Sequence, residues 1–380
     1  MAEAELLPGR ATPEGTKRFA DRFAALPGHF RRPDRLWLSS LGLGTKPGAP
    51  GGVDDLCYRS VTPRALELGV NVFDTSISYR QQTSERALGR ALARAFREKV
   101  AQRDEVFVIS KCGYLSADAE SVMDARRYLV RTYLDSGLVQ LDEVVNGVHV
   151  LSPRFIADQI ERSRTNLGLE TLDLYLLEDP ELQLAARGPT GFREALAGWF
   201  EALEAAVARG AIASYGLSTW HGMLLPYGER GHVSIFELLE TAMEVGGAEH
   251  HLRGMAVPYS VAFGEAHGLA SQFGPEARPA NLFDTLRDTG TAVFGAAPLV
   301  HGRAARGLPL FFRQAFPALH TDAQRCLQFA RSTPGLTTAL VAMRSPEHVD
   351  ENLALASHEP AKTEVIESLF ERARRKERER

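Results

Sequence analysis

Apolar positions in this chain fall into short, nearly unbroken runs, separated by longer stretches in which they recur every three or four residues. The runs are SSLGLGT (39–45), VNVFDTS (70–76), VFVISKC (106–112), LDLYLLE (172–178), IASYGLS (212–218), RGMAVPYS (253–260), AVFGAAPL (292–299) and TTALVAM (337–343). A strand with one wet face alternates apolar and polar, whereas a parallel strand covered on both faces reads as a continuous run. The intervening stretches carry a helical period, as in SERALGRALARAF (84–96), SPRFIADQIERSRTNL (152–167), GFREALAGWFEALEAAVARG (191–210) and DAQRCLQFARS (322–332). Their boundaries are marked chemically. Ser152-Pro153 and Ser345-Pro346-Glu347 place a capping hydroxyl before a first-turn proline, and Gly210 follows the last periodic residue of its segment. Trp199, Phe200 and Leu203 sit at core spacing within it.

Eight such strands, each followed by a helical segment, predict a (β/α)8 TIM barrel: a single α/β domain over residues 36–360. The step between strands 3 and 4 is the longest and leaves residues 114–151 outside any barrel unit. An insertion there opens on the face where barrels carry their sites, so it reads either as a substrate lid or as a packing appendage. Its Tyr128 and Tyr133 are candidates for lining the substrate mouth or for surface packing. Gly42-Leu43-Gly44 invites a dinucleotide-binding doubly wound sheet instead, but TKPGAPGG follows, where no helix can start to receive a pyrophosphate. Residues 1–35 read as an extension with a short helix near 16–25, and residues 361–380 as an amphipathic helix running into ERARRKERER.

Composition narrows the function classes. The 380 residues hold 44 Lys+Arg against 48 Asp+Glu, a formal charge of −4, which argues against a general nucleic-acid binder. No apolar run approaches the roughly 18 residues of a membrane span. The N-terminal MAEAELLPGRATPEG lacks a basic-then-apolar leader, so the expectation is a cytoplasmic protein. Three widely spaced cysteines, Cys57, Cys112 and Cys326, predict neither a disulfide framework nor a zinc site. His250-His251 precede strand 6, at the wrong end for a site, so no metal is expected. Only six of the 44 basic residues are lysine, and one of them, Lys111, lies inside an apolar strand.

Ionisable residues stand at the ends of consecutive strands: Asp74 closes strand 2 with Tyr79 five residues on, Lys111 closes strand 3, and Glu178-Asp179-Pro180-Glu181 closes strand 4. In a barrel, polar groups at C-terminal strand ends read as catalytic. Unlike arginine, a lysine has a pKa that responds to burial and neighbours, so it can tune an adjacent acid.

The segments LGLGT (41–45), GVNVFDTSISYRQQTSERALG (69–89), VFVISKCG (106–113), QIERSRTNLGLETLDLYLLEDPE (159–181), YGLSTW (215–220) and PGLTTALVAMRSPEHVDENL (334–353) together resemble the aldo-keto reductase family, from about residue 35 to 357. The resemblance implies an NADPH-dependent oxidoreductase that reduces a carbonyl or an activated double bond, with NAD(H) the less favoured cofactor. Tyr79 would be the general acid, Lys111 would lower its pKa, and Asp74 would hold the lysine. Glu178 stands where the family has histidine. Steroid 5-beta reductases of the family make the same exchange, and there a protonated Glu donates a second hydrogen bond to the carbonyl oxygen. The resemblance also implies cofactor contacts at Gly44, Thr45, Asp74, Ser218, Thr219, Pro298 and Leu299. Arg344, Ser345, His348, Glu351 and Asn352 would take the adenosine end, where a basic residue and a helix N-terminus suit a 2′-phosphate. Thr219 replaces an Asn, Ala256 a Gln, and Ala296 an aromatic ring that would stack on nicotinamide. Those departures support an alternative, a nicotinamide-binding but catalytically weak redox sensor or partner-binding subunit, as potassium-channel beta subunits resemble. The expected partner is a small carbonyl or enone substrate, and the sequence is silent on oligomeric state.

Overall fold

The computed structural model of the protein describes residues 6–274, 277–287 and 289–378, with side chains as far as 375. Eight parallel strands close into a barrel. They are β1 (Leu41–Gly44), β2 (Val72–Asp74), β3 (Phe107–Cys112), β4 (Leu174–Glu178), β5 (Tyr215–Ser218), β6 (Leu252–Pro258), β7 (Ala292–Ala296) and β8 (Thr338–Ala342). Each falls on a run read from the sequence, β6 beginning one residue earlier at Leu252. β8 pairs with β1, so the ring has no exposed sheet edge.

Side-chain alternation along the strands decides what fills the ring. Val72, Ile109, Leu174, Leu176, Ala256, Phe294 and Leu340 form an inner apolar cluster, with Phe107 and Phe294 stacked at 6.1 Å. The next inward positions up from Val72, Ile109 and Leu176 are Asp74, Lys111 and Glu178, because side chains two residues apart share a face. The alternate positions Phe73, Cys112 and Leu177 face outward into the larger core under the helices. A dry plug therefore carries a charged layer on top, at the C-terminal end of the barrel.

The opposite end is sealed by the N-terminal segment. Helix Pro13–Arg22, capped by Thr12, sets Arg18 and Arg22 on the buried Glu105 at 2.9 and 3.0 Å. The Ala11 amide donates to Asp173 at 2.6 Å. Helical backbone spans Glu181–Ala208 but is interrupted at Gly188, whose φ 71° and ψ 172° are not helical, so a short helix after β4 precedes the one that the periodicity of 191–210 predicts.

The 114–151 insertion is folded onto the barrel. Tyr133 is fully buried, its ring 5.8 Å from Phe155 and its hydroxyl donating to the Ser116 carbonyl at 3.0 Å. Tyr128 is buried beside it. Both aromatics therefore belong to the core and not to a substrate mouth: Tyr133 packs on Phe155 and under Arg162, and the Tyr128 hydroxyl accepts from Gln82 and Arg162.

Candidate active site

The charged layer converges on Lys111. Its ammonium donates to Asp74 Oδ1 at 2.5 Å, to the Thr75 carbonyl at 2.8 Å and to the Tyr79 hydroxyl at 3.1 Å. Those three acceptors take all three of its protons. Lys111 and Asp74 are buried, and desolvation pushes the Asp74 carboxyl up while the lysine beside it pulls it down. The Tyr79 oxygen accepts from the lysine, and among the described residues its own proton goes to no protein acceptor. The phenol is thus held from behind with its proton left for a ligand.

The electrostatics correct one expectation. Tyr79 is pushed well above the ordinary tyrosine value, first by burial and then by Glu178, Asp74 and Asp179. Lys111 does not outweigh them, because its charge is matched at once by Asp74. Its service to Tyr79 is the hydrogen bond to the oxygen, which strengthens as the phenol gives up its proton.

Glu178 ends β4 opposite Ser218 of β5 and is buried, with Ser76 donating to it at 3.3 Å. Burial is the main cause that raises its pKa. Lys111 and Lys46 oppose it, and Asp179 and Asp74 add to it. Adjacent residues of a strand face opposite ways, but Asp179 leaves the strand with φ 49°, a left-handed conformation that costs a non-glycine residue about 1 kcal/mol. That twist brings both carboxylates to one pocket.

The pocket, of about 280 Å³, is lined by Lys46, Ser78, Tyr79, Tyr114, Glu178 and Asp179, with Gly48 and Arg80 beside them. Tyr114 donates to the Asp179 carboxylate, and its ring meets His149 edge-on at 5.0 Å. His149, fully buried, bonds the Glu178 carbonyl through Nε2 at 2.9 Å and Gln183 through Nδ1 at 3.1 Å. Burial holds its pKa down, so it stays neutral, with Nε2 the donor to a carbonyl. Gly113 makes the close approach possible, since a Cβ there would meet the Glu178 carbonyl at 2.5 Å.

Sequence reasoning missed Tyr114, His149, Ser76 and Lys46. The rarity of lysine pointed to Lys46 as much as to Lys111. Its Nζ stands 5.4 Å from the centre of the Tyr79 ring, against 4.8 Å for Lys111. No signal marked His149, which meets Glu178 only because the insertion returns to β4.

The motif Ser84-Glu85 is structural. Ser84 donates to Thr45 Oγ1 at 2.7 Å, Thr45 to the Asp74 carbonyl at 3.0 Å, and Ser110 to Glu85 at 2.5 Å, which ties the ends of β1, β2 and β3 together. Glu181 holds the turn after β5 by accepting from the amides of Trp220, His221 and Gly222 at 2.8–3.3 Å.

The expected cofactor residues line the same end of the barrel. Ser218 and Thr219 close β5 beside Glu178, with the Asp179 amide on the Ser218 carbonyl at 2.7 Å. The Thr219 amide donates to the Ala256 carbonyl at 3.0 Å. Gly44 and Thr45 end β1 next to Asp74. Pro298 and Leu299 enter a turn bracketed by the positive-φ residues Ala297 and Val300. Ser345 caps helix Pro346–Leu353, accepting from the His348 amide at 3.3 Å, and Glu351 and Asn352 lie on that helix. These lie apart from the Tyr79 group, after β8. One finding alters their electrostatics: Arg344 is already paired with Asp54 at 2.6 Å. The donor set fits a nicotinamide dinucleotide, with Ser218 next to the acid group and a capped helix start with a guanidinium at the far end. Among the described residues no His/Cys/Asp/Glu group is arranged to hold a metal. No described helix is long and apolar enough to cross a membrane.

The Aldo/keto reductase family model matches residues 40–223. An aldo-keto reductase of Gibberella moniliformis is 32% identical over 91 residues, 23% of this chain and 26% of its own length. Deoxymugineic acid synthase 1 of Hordeum vulgare is 36% identical over 107 residues, 27% of this chain and 32% of its own. The chain thus spans about a third or less of these curated relatives. Among solved structures, the holo form of an aldo-keto reductase from Bacillus halodurans superposes with a TM-score of 0.59 at 18% identity, covering 90% of this chain and 95% of that one. An aldo/keto reductase from Klebsiella pneumoniae, in complex with NADP and acetate, gives 0.59 at 20% identity, covering 91% and 95%.

Proposed function

On the premise that residues 40–223 belong to the aldo/keto reductase family and that the rest of the barrel completes its fold, we propose that this chain is an NADP(H)-dependent oxidoreductase. Its substrate is a small aldehyde, ketone or activated double bond, and Tyr79 gives the proton. The observation that carries the reading is the arrangement around the phenol. Lys111, anchored by Asp74, holds the Tyr79 oxygen, and the phenol's proton is uncommitted at the edge of a pocket. The NADP complex of the Klebsiella pneumoniae protein and the donor set after β5 and β8 support the choice of cofactor.

Bound nicotinamide supplies the hydride. The chain's own residues do the rest. A carbonyl oxygen in the pocket accepts from Tyr79, and as charge develops on it the phenol proton moves across. The growing phenolate is met by a Lys111 proton already in place at 3.1 Å, so little reorganisation is needed. Glu178, whose carboxyl is raised above the ordinary value chiefly by burial, is a second donor in its acid form. Ser218 and Thr219 would orient the nicotinamide, and Arg344 with the capped helix start at Ser345 would hold the adenosine phosphate.

NADPH and NADH titrated by fluorescence, followed by a panel of aldehydes, ketones and enones, test the reading. Tyr79→Phe is expected to lower turnover by roughly a thousandfold or more while NADPH still binds. Intact turnover in that variant refutes the assignment of the acid. The high pKa of Tyr79 and the small side chain of Ala256 favour one other reading, a cofactor-binding protein with weak catalysis. NADPH binding with no substrate oxidising it, and carbonyl reduction restored by Glu178→His, would establish that reading instead.

A further inference from the structure

The geometry points to a substrate class: a carbonyl compound bearing a carboxylate or phosphate a few bonds from the reacting carbon, with Lys46 receiving the anion. This rests on the reductase reading and goes beyond it by naming what the pocket selects.

The other cations on this side of the barrel, Lys111, Arg80 and Arg344, each already have a carboxylate partner. Lys111 gives its protons to Asp74, Thr75 and Tyr79. Arg80 is paired with Asp55 at 2.5 Å and lies over the Tyr58 ring at 4.6 Å, and its Nε and Nη2 are buried without a hydrogen-bond partner, out of reach of an anion at the pocket surface. Arg344 is on Asp54. Lys46 differs. It is exposed and lines the pocket, and among the described residues it has neither an ion pair nor a hydrogen bond. Its nearest aromatic neighbour is the ring of the proton donor itself, at 5.4 Å. An anion on its ammonium is thus one phenol ring away from the carbonyl that Tyr79 protonates.

The acids on the same wall are engaged elsewhere: Glu178 is buried and raised by desolvation, and the Asp179 carboxylate accepts from the Tyr114 hydroxyl, so Lys46 is the lining group whose charge is open to solvent. The lining holds no aliphatic side chain, so an apolar enone would bury these polar groups without partners, which a hydroxylated or charged ligand avoids. The same exchange at Glu178 that resembles steroid reductases therefore sits here in a pocket of different character.

The test compares matched pairs with NADPH: 4-oxobutanoate against butanal for a carboxylate, and glyceraldehyde 3-phosphate against glyceraldehyde for a phosphate. We expect the charged member of at least one pair to have the higher kcat/KM. In Lys46→Gln the charged-to-neutral ratio should fall about tenfold through KM, with Lys46→Arg retaining it and salt weakening it in the native protein. Which pair responds identifies the anion. Equal kcat/KM within both pairs, or a ratio unmoved in Lys46→Gln, overturns the inference. So does a loss of NADPH affinity in Lys46→Gln that accounts for the whole fall, since the lysine would then serve the cofactor's phosphates. If none of the compounds is reduced, the reductase reading fails separately. Calorimetric titration of the NADPH-loaded protein with 4-hydroxybutanoate and 1-butanol then decides the inference. Binding of the acid that Lys46→Gln abolishes supports it, and no preference for the acid overturns it.

Discussion

A buried carboxylic acid and a buried phenol share one pocket, and their protons set its working pH. Glu178 is raised above the ordinary glutamic acid value chiefly by desolvation. Its acid form, the one able to donate, therefore persists to higher pH than an exposed Glu would allow. Turnover should fall as pH rises through that elevated value, because deprotonation removes a donor and places a second negative charge near the developing oxyanion. Glu178→Gln keeps an N–H donor at every pH, so the alkaline limb of its kcat profile should disappear. A limb unchanged in that variant would assign it to another group. A second residue-scale consequence follows from Arg344, whose guanidinium must be shared between Asp54 and any 2′-phosphate. Half-exposed pairs of this kind are worth up to about 1 kcal/mol, so Asp54→Asn should tighten NADPH binding by roughly two- to fivefold. NADH affinity should stay level, and equilibrium fluorescence titration of both cofactors reads the difference.

At the scale of elements, the insertion after β3 acts as a strap fixed at both ends to β4. Its first residue, Tyr114, holds the Asp179 carboxylate, and His149 near its end holds the Glu178 carbonyl. This fixes the twist at Asp179 that turns two adjacent carboxylates to one side. Tyr114→Phe removes one bond and no volume, so kcat should drop by about tenfold with little change in melting temperature. His149→Gln, which retains a donor, should keep more activity than His149→Phe. Equal activity in all three would make the strap a packing element only. Here lies the limit of what the chain reveals before it folds. Strands and helices follow local patterns, and all eight barrel strands were legible in continuous apolar runs such as Val106–Cys112. Asp74, Lys111 and Glu178 were legible too, because period-two alternation places them above Val72, Ile109 and Leu176. Tyr114 and His149 are brought together by a return of 35 residues with no periodicity to announce it. The short helix from Glu181 was not legible because it ends at the Gly188 break before it can show a full amphipathic period.

At the scale of the whole molecule, a closed ring of strands is rigid along its length and open at its two mouths, so stability and function divide between what closes each. The N-terminal segment plugs one mouth, Ala11 on Asp173 and the helix on Glu105, at the end of the barrel opposite the site residues described above. The site mouth is walled by the insertion, by the 46–54 loop that Asp54 folds back on the Ala49 amide at 2.8 Å, and by the loop after β6. That last wall has a remote support. In helix Thr363–Arg378, Ile366 and Leu369 are buried, and Phe370 stacks 5.7 Å from Phe329 and 5.1 Å from His267. A Cβ on Gly264 or Gly268 would meet the Phe370 ring at 2.7 or 3.1 Å, so ring and loop are in direct contact. The C-terminal helix is therefore part of the site's architecture although it carries none of its chemistry. Phe370→Ala should cost about 2–3 kcal/mol, less than a fully enclosed phenylalanine, and lower the melting temperature by a few degrees. Because β6 and its loop stand beside Thr219 and Ala256, cofactor affinity should weaken in the same variant while the pH profile keeps its shape. Calorimetric melting together with NADPH titration reads both effects. A melting loss with cofactor binding intact would show that the helix stabilises the barrel without steadying the wall of its site.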